Sequence, residues 1–456
     1  MKKSPSFFSV QAQGNSMYPL LQDKDTVEYI QMPFRKIKLN DIILVYVDNI
    51  LMTHRVIYKT KTTCITRGDN NATADTIIQK GRVLAKVVRF KRKGVWYGIQ
   101  AVYLAQSALY LHEIQKLETV LQFQRIPHVF LKGVLISLRY EGAIPKRIYA
   151  DCDILVQRND YKIIEKTFKT LGYQLQERQL SFRATFDNLS VNAGEKSRSV
   201  LRFARFFDFA QNDKQDLKVN SGPEVSYMKM VNGVPVVFDV HFEPVFLMTQ
   251  IGGMNWLYPS KFLIQLGEQI IKRGELKKIK GFSYSLCSPS DQILYLALHI
   301  FHHNYTDSVR YQLLDAVIRK SAPAFVKTTA GKQGDWEELG NTIKEYQLEG
   351  YVYGVFMLLK KYFKTPIPQS FISEIQPSSF KRRVSTYFLK RVDIFSQDSR
   401  VNAGISRFIL IFFLSPNPFW KKLLLFIHPE VLYTGARLAF SFLSSRVSQA
   451  RRRFAQ

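Results

Sequence analysis

Two aspartates at the start of an apolar strand constrain the fold of this 456-residue chain more than any other feature. Asp151 and Asp153 open the run Asp-Cys-Asp-Ile-Leu-Val, and because side chains alternate along a strand, the two carboxylates point the same way. A third aspartate, Asp239, lies in the later apolar segment Val-Val-Phe-Asp-Val-His. Carboxylate oxygens suit Mg²⁺, and magnesium ions held in this way assist phosphoryl or nucleotidyl transfer. The pattern predicts a Mg²⁺ site made of these three aspartates.

Strand and helix signals alternate around these aspartates, which indicates an α/β unit. An apolar run leads into Lys132 and Gly133, where a cation and a close approach of the backbone could serve a bound phosphate. Arg147, shortly before the aspartate pair, is a further candidate for contact with phosphate, although a solvated surface arginine would explain it more simply. We therefore predict Lys132, Gly133 and Arg147 as nucleotide-binding residues, with Lys132 at the rim of the site. Residues 190–220 are polar and lack a period, so we expect a poorly ordered surface insert there.

The rest of the chain divides by its periodicity. Before residue 99 the chain has short, partly alternating β-branched segments separated by turns. From Ser288 onward, apolar residues recur at helical spacing. We predict a multidomain fold with a small β-rich domain (1–98), an α/β core (99–287), a helical subdomain (288–370) and a basic amphipathic helical tail (371–456).

Short motifs in the N-terminal part have the residue types of a serine-based catalytic site. Ser16 lies in the turn Gly-Asn-Ser-Met-Tyr-Pro, and His54 lies in the strand Thr-His-Arg-Val-Ile. The motif Arg-Gly-Asp-Asn-Asn then places Asp69 in a loop that also holds Asp75. A serine hydroxyl is a poor nucleophile near neutral pH and needs a base within hydrogen-bond reach. In order and spacing, these motifs resemble the catalytic domain of signal peptidase I and its LexA-type relatives, in the histidine-using form.

This resemblance implies a small serine endopeptidase domain that needs no cofactor and acts on a peptide or protein. Ser16 would be the nucleophile and His54 the general base, and either Asp69 or Asp75 would orient His54. The chain departs from true signal peptidases, because no signal peptide or membrane span is evident in the sequence. Its most apolar run, residues 408–414, is far shorter than the roughly 20 residues that cross a bilayer. We therefore expect a cytoplasmic protein.

The larger part of the chain carries a second resemblance. The motifs Leu-Lys-Gly, Asp-x-Asp-Ile-Leu-Val, Leu-Gly-Tyr and Phe-Asp-Val-His occur in this order. They are similar to the uncharacterised nucleotidyltransferase family of the polymerase-β superfamily, over roughly residues 105–370. The resemblance implies that the Lys-Gly pair replaces the superfamily's Gly-Ser turn and that the three aspartates form its metal site. It also implies a nucleoside triphosphate as substrate. Ala150 stands where the family usually has glycine.

The charge balance favours anionic partners. The sequence has 65 Lys and Arg against 37 Asp and Glu, a net charge of +28, which suits nucleotides, RNA or an anionic membrane surface. A merely solvated basic surface would give the same balance. The three widely spaced cysteines argue against a disulfide framework or a zinc site and fit a reducing compartment. His299, His302 and His303 lack the glutamate of a zinc-binding HExxH motif, so we assign them to a helix face near the nucleotide site.

These patterns together predict a bifunctional enzyme, a signal-peptidase-like serine endopeptidase joined to a Mg²⁺-dependent nucleotidyltransferase-like domain. Peptide or protein processing is the expected theme. The alternative is a regulatory or binding protein that is non-catalytic, or cleaves only itself, and binds nucleotide or RNA. The intact set of candidate catalytic residues favours the enzyme, and the basic charge favours the alternative. Peripheral attachment of the basic tail to an anionic membrane is a further open possibility.

Overall fold

The computed structural model describes residues 6–47, 49–142, 144–176, 224–244, 257–326, 335–396 and 409–427, together with residues 429 and 432. Two β-sheets and a set of helices make up this part of the chain. The predicted insert at 190–220 and most of the predicted tail beyond residue 427 lie outside the described residues.

The N-terminal part is a sheet of eight antiparallel strands, in agreement with the predicted β-rich region. The strands are β1 (Phe7–Gln11), β2 (Thr26–Ile30), β3 (Ile42–Val47), β4 (Ile50–Lys59), β5 (Thr63–Arg67), β6 (Ile78–Gln79), β7 (Val83–Arg92) and β8 (Val95–Gly98). Their order is β1-β2-β7-β3-β4-β5-β6, with β8 paired to β7. Strand β3 is buried on both faces, because Ile42 and Leu44 pack into one apolar cluster and Ile43 and Val45 into another.

The second sheet is mixed and has seven strands in the order β11-β12-β13-β10-β9-β15-β14. The strands are β9 (His128–Phe130), β10 (Cys152–Val156), β11 (Gln174–Gln176), β12 (Glu224–Val231), β13 (Val234–His241), β14 (Glu275–Ile279) and β15 (Phe282–Leu286). Strand β10 runs parallel to β13, and β9 runs parallel to β15. Every residue of β10 is buried, which explains its unbroken apolar character after Asp153.

Helices cover the second sheet and form most of the C-terminal half. They are α1 (Ile99–Phe123), α2 (Val134–Tyr140), α3 (Tyr161–Thr170), α4 (Ser260–Lys272), α5 (Pro289–His302), α6 (Ser308–Val326), α7 (Asp335–Glu345), α8 (Glu349–Leu358), α9 (Gln369–Glu374), α10 (Ser379–Leu389) and α11 (Phe419–Leu423). Residues 409–414 are also helical, and a π-helical turn, Leu359–Phe363, follows α8. Short 3₁₀ turns occupy Phe34–Lys36, Lys80–Arg82, Arg158–Asp160 and Leu424–Ile427.

Helix α5 carries residues of the site described below, and its start is encoded locally. Ser288 caps the helix by accepting a hydrogen bond from the backbone N–H of Asp291, and Pro289 fits the first helical position, where no intrahelical N–H bond is lost. None of the helices in the described residues has the length and apolarity needed to cross a membrane.

The two sheets are joined by packing as well as by the chain. In helix α1, Tyr103 packs into an apolar cluster of the N-terminal sheet, whereas Tyr110 belongs to the main core around the second sheet. Helix α6 lies against β4, where the side-chain amide of Gln312 donates to the Ile57 carbonyl at 2.9 Å. The N-terminal sheet therefore rests on the helical half of the molecule.

Candidate functional site

Strands β10 and β13 bring three aspartates together at one end of the mixed sheet. Asp151 directly precedes β10, Asp153 lies within it, and Asp239 lies in β13. Asp153 and Asp239 are register partners across the parallel pair, so both side chains lie on the same face. One carboxylate oxygen from each of the three aspartates lies within 4.8 Å of the other two.

The ammonium group of Lys132 lies against this cluster. Its Nζ is 3.2 Å from Asp151 Oδ2 and 3.2 Å from Asp153 Oδ2. Burial disfavours the charged ammonium, but Asp153 and Asp151 raise the pKa of Lys132 above its ordinary value. Lys132 thus touches both carboxylates while its side chain stays 21% exposed, and its place at the rim, where a triphosphate would lie, stays a prediction. Two converging carboxylates, one of them only 2% exposed, attract the nearest cation into the cluster.

Two residues that the sequence analysis missed complete the surroundings of Asp153. The Tyr295 hydroxyl on α5 donates to Asp153 Oδ2 at 2.8 Å. His241 lies between two carboxylates, with Nε2 3.6 Å from Asp153 and Nδ1 3.0 Å from Glu224. Burial opposes the charged imidazole, but contacts with Asp153 and Glu224 raise the pKa of His241 to about 10. The motif Asp-Val-His contained a signal for His241, because residues two apart on a strand share a face.

The donor set of this cluster fits a divalent cation. Asp153 Oδ1 is buried and has no hydrogen-bond partner in the described part of the chain, and an unpaired buried acceptor is costly. Burial would raise the pKa of Asp153, but Lys132 and His241 hold it well below its usual range. The pKa of Asp239 is raised, first by burial and then by the charge of Asp153. Oxygen ligands that carry excess negative charge are those that Mg²⁺ binds.

The other predicted nucleotide-binding residues differ in their surroundings. Gly133 has φ +104°, and a Cβ at this position would lie 3.1 Å from the Asp151 carbonyl oxygen, so glycine lets the backbone pass close to the aspartate pair. The Arg147 guanidinium donates to Glu141 at 2.7 Å and to Ser137 at 3.1 Å. Arg147 is therefore bound at the C-terminal end of α2 rather than at the aspartates.

Of the three predicted helix-face histidines, His299 and His302 follow Tyr295 in α5, and His303 comes directly after the last residue of that helix. The ring of His299 lies 5.8 Å from that of Tyr295, and the ring of His303 lies 4.6 Å from that of His299. Burial, with the nearby charge of Lys132, holds the pKa of His299 well below its ordinary value. These side chains form a path of successive contacts from Asp153 to the segment that connects α5 and α6.

In the N-terminal sheet, Ser16, His54 and Asp75 form a hydrogen-bonded relay. His54 Nε2 lies 3.0 Å from Ser16 Oγ, and His54 Nδ1 lies 2.7 Å from Asp75 Oδ2. His54 is held in β4 and is buried. Asp75 is fixed by Thr66 of β5, whose hydroxyl donates to Asp75 Oδ2 at 2.5 Å and whose carbonyl accepts from the Asp75 N–H at 2.8 Å.

The loop after β5 reaches back to the turn that carries Ser16. The Asn70 N–H donates to the Ser16 carbonyl at 2.8 Å, which ties the loop to this turn. A Cβ on Gly68 would lie 2.5 Å from the Ser16 carbonyl oxygen. The loop can therefore approach Ser16 this closely because residue 68 is glycine.

Asp69 has a different partner from Asp75. Its Oδ1 and Oδ2 accept from Arg55 Nε and Nη2, each at 2.6 Å, in a bidentate ion pair. Arg55 also donates to the Tyr103 hydroxyl at 2.8 Å. The sequence left open which aspartate meets His54. In the structure Asp75 does so, and Asp69 secures Arg55 against helix α1.

A mixed sheet that presents three carboxylates from two neighbouring parallel strands puts the larger part of this chain in the nucleotidyltransferase class. Comparison with sequence families gives the narrower assignment. The chain belongs to the family described as uncharacterised nucleotidyltransferase, which matches residues 95–364. A search of curated proteins found no match. The family match leaves the N-terminal sheet with its Ser16, His54 and Asp75 relay almost entirely outside its bounds.

Proposed function

We propose that the larger part of the chain is a Mg²⁺-dependent nucleotidyltransferase. The observation that carries this proposal is the convergence of Asp151, Asp153 and Asp239 around a buried carboxylate oxygen without a partner. The substrate is a nucleoside triphosphate, from which a nucleotidyl group passes to an acceptor while pyrophosphate leaves. Magnesium bound by the aspartates would stabilise the charge on the attacking and leaving oxygens.

The chain's own residues then have distinct tasks. The three aspartates would hold the cation, which would fix the position of the phosphates. Lys132 neutralises the carboxylates when no cation is bound. With a divalent cation on the aspartates, the Lys132 ammonium would be repelled from the carboxylates and would serve as a donor to the phosphates instead. His241 and Tyr295 keep the Asp153 carboxylate in place by contacts at 3.6 and 2.8 Å.

Calorimetry with Mg²⁺ and each nucleoside triphosphate tests this proposal. The double variant Asp151→Asn and Asp153→Asn should abolish binding. Asp315→Asn is a matched control, because Asp315 pairs with Arg319 on α6 away from the cluster. Absence of binding in the unaltered protein, or binding that persists in the double variant, would contradict the proposal. A screen of acceptors with labelled nucleotide then identifies the transfer reaction.

A second activity is favoured by a specific observation, the 3.0 Å and 2.7 Å contacts that connect Ser16, His54 and Asp75. We propose that the N-terminal sheet is a serine endopeptidase of the signal-peptidase-like type, acting on a peptide or protein. His54 Nε2 would take the proton from Ser16 Oγ as the oxygen attacks the peptide carbonyl. Asp75 would hold the Nδ1–H tautomer of His54. Backbone N–H groups near Ser16 would stabilise the oxyanion.

A fluorophosphonate probe distinguishes this activity from a merely structural relay. The probe should label Ser16 covalently, and labelling should disappear in Ser16→Ala and in His54→Ala. Ser9→Ala, in strand β1 of the same sheet, should label like the unaltered protein. Equal labelling of Ser16→Ala and the unaltered protein would refute the assignment. A regulatory protein that cleaves only itself would label without cleaving added peptides, and one that only binds its partner would not label.

Two further expectations stay proposals about location and partners. The three cysteines are free and buried, which supports a reducing compartment such as the cytoplasm. Exposed Phe419 and Trp420 beside Lys421 support attachment of α11 to an anionic membrane. Flotation with anionic vesicles at low and high salt tests the attachment, and RNA added as competitor would reveal an RNA-binding surface instead.

A further inference from the structure

Asp307, between helices α5 and α6, binds arginines from both parts of the molecule. Its Oδ1 lies 3.1 Å from Arg67 Nη2, which belongs to β5 of the N-terminal sheet. Its Oδ2 lies 3.3 Å from Nη1 of Arg310, in the first turn of α6. Arg67 also donates from Nη1 to the Phe395 carbonyl at 2.9 Å, and its side chain is only 6% exposed. The Phe395 carbonyl and burial fix the Arg67 side chain, and the ion pair with Arg67 in turn fixes Asp307.

A series of contacts connects the aspartate cluster to the segment that carries Asp307 and Arg310. The path from Asp153 runs through Tyr295 and the rings of His299 and His303 to the segment that ends at Asp307. Arg310 joins this path, because its Nη1 donates to the Thr306 carbonyl at 3.4 Å and the Thr306 hydroxyl donates to the His303 carbonyl at 2.7 Å. Arg310 is thus linked to the aspartate cluster through Thr306, the two histidines and Tyr295.

The guanidinium of Arg310 is held through Nη1, whereas its other two nitrogens can donate to a ligand. Its contacts with Asp307 and with the Thr306 carbonyl both use Nη1. Nε and Nη2 have no hydrogen-bond partner in the described part of the chain, and the side chain is 27% exposed. One carboxylate shared by two arginines also leaves a net positive charge, which an anion can neutralise.

We propose that Arg310 binds the phosphates of the nucleoside triphosphate and that Arg67 of the N-terminal sheet positions it through Asp307. The inference rests on the nucleotidyltransferase function proposed above and adds to it. In this arrangement the N-terminal sheet completes the nucleotide site, with Arg310 as the ligand-binding residue and Arg67 as a positioning residue. Loss of Arg67 would let Asp307 neutralise Arg310 alone, and the surplus positive charge would disappear.

The simpler reading is that Arg67, Asp307 and Arg310 only hold the two parts of the molecule together. The two readings differ in their effect on anion affinity. A purely structural contact would change stability but not the affinity of the folded protein for phosphates. A phosphate-binding arginine would change affinity and its dependence on salt, because each lost contact with phosphate lowers that dependence.

Calorimetry with magnesium tripolyphosphate, which carries no base, and with each magnesium nucleoside triphosphate tests the proposal. Arg310→Ala should weaken binding at least about ten-fold, the usual effect of losing a hydrogen bond to a charged group. Arg67→Gln should weaken it by a smaller factor, and Arg67→Lys, which keeps the charge beside Asp307, should restore most of the affinity. Arg319→Ala is the matched control, because Arg319 lies on the same helix and pairs with Asp315 at 2.9 Å.

Each outcome separates this inference from the proposed function. If the unaltered protein binds nucleotide but Arg310→Ala and Arg67→Gln bind equally well, the inference is wrong and the nucleotidyltransferase proposal stands. Equal weakening by Arg319→Ala would show a general effect on the helix and would also overturn the inference. If the unaltered protein binds neither tripolyphosphate nor nucleotide, both are overturned. Thermal melting of each variant identifies those that fail to fold, and in that case Arg310→Lys replaces Arg310→Ala and should give intermediate affinity.

Discussion

Replacing Lys132 with methionine should make the stability of the nucleotidyltransferase part depend on magnesium. Lys132 Nζ lies 3.2 Å from both Asp151 and Asp153, and each contact is worth about 5 kcal/mol at an effective dielectric constant of about 20. Desolvation of the charges cancels much of this gain. Breaking a buried pair by removing one partner costs about 3–5 kcal/mol. Because the Lys132 side chain is 21% exposed and Asp153 keeps its contact with Tyr295, we expect a loss of about 3 kcal/mol.

Magnesium should restore most of this loss. In Lys132→Met, no ammonium competes with the cation for the carboxylates, so Mg²⁺ binds more tightly than to the unaltered protein. A ligand at 100 times its Kd stabilises the folded state by about 2.7 kcal/mol, which is close to the expected loss. Stability should therefore rise with Mg²⁺ in Lys132→Met and rise less in the unaltered protein.

Urea unfolding followed by circular dichroism, with and without Mg²⁺, measures both effects. Lys169→Met is the control, because Lys169 forms a similar short contact with Glu165 on the exposed face of α3. This control should unfold like the unaltered protein and show the same response to Mg²⁺. The reasoning fails if Lys132→Met is as stable as Lys169→Met without metal, or if Mg²⁺ stabilises the two variants equally.

Three further predictions follow from individual contacts. Asp75→Asn should lower peptide cleavage by about 10⁴-fold, as expected when the group that orients a catalytic histidine is lost. Asp69→Asn should chiefly lower the melting temperature, because it leaves the buried Arg55 without its partner. Gly133→Ala should reduce both melting temperature and nucleotide affinity, and Gly142→Ala, with positive φ but open space around it, should leave nucleotide affinity unchanged. Burial raises the pKa of Asp307, but Arg310 and Arg67 more than offset it and hold the pKa below its ordinary value. The contribution of Asp307 to stability is thus complete above about pH 4 and lost as the pH falls below it, so urea midpoints should drop less in acid for Asp307→Asn.

The convergence of the three aspartates could be predicted because strand geometry is local. Side chains two residues apart share a face, and buried parallel strands are recognisable as apolar runs, so Asp151, Asp153 and Asp239 were expected at one end of a sheet. The β-rich N-terminal region and the helical C-terminal half followed from periodicity in the same way. His241 lies two residues after Asp239 on the same strand, but a pattern of carboxylate ligands does not include a histidine, so the sequence did not assign it to the site.

Contacts made by flexible or distant residues could not be predicted. The loop that carries Asp69 and Asp75 has no period, so the partner of each carboxylate depends on how the loop packs on Ser16 and Thr66. The contacts of Lys132 with Asp151 and Asp153 could not be predicted, because the sequence does not show how far a long, flexible side chain reaches into a charged cluster. The ion pair between Arg67 and Asp307 joins residues 240 positions apart, and neither residue belongs to a recognisable motif for that contact.

Strand β5 makes contacts with both the serine site and the helical half of the molecule. Neighbouring side chains on a strand point to opposite faces. Thr66 therefore turns toward Asp75 of the serine site, while Arg67 turns toward Asp307, which also binds Arg310. Both side chains are buried, so neither can move without moving the strand. A displacement of β5 would therefore change the contact of Thr66 with Asp75 and the contact of Arg67 with Asp307 together.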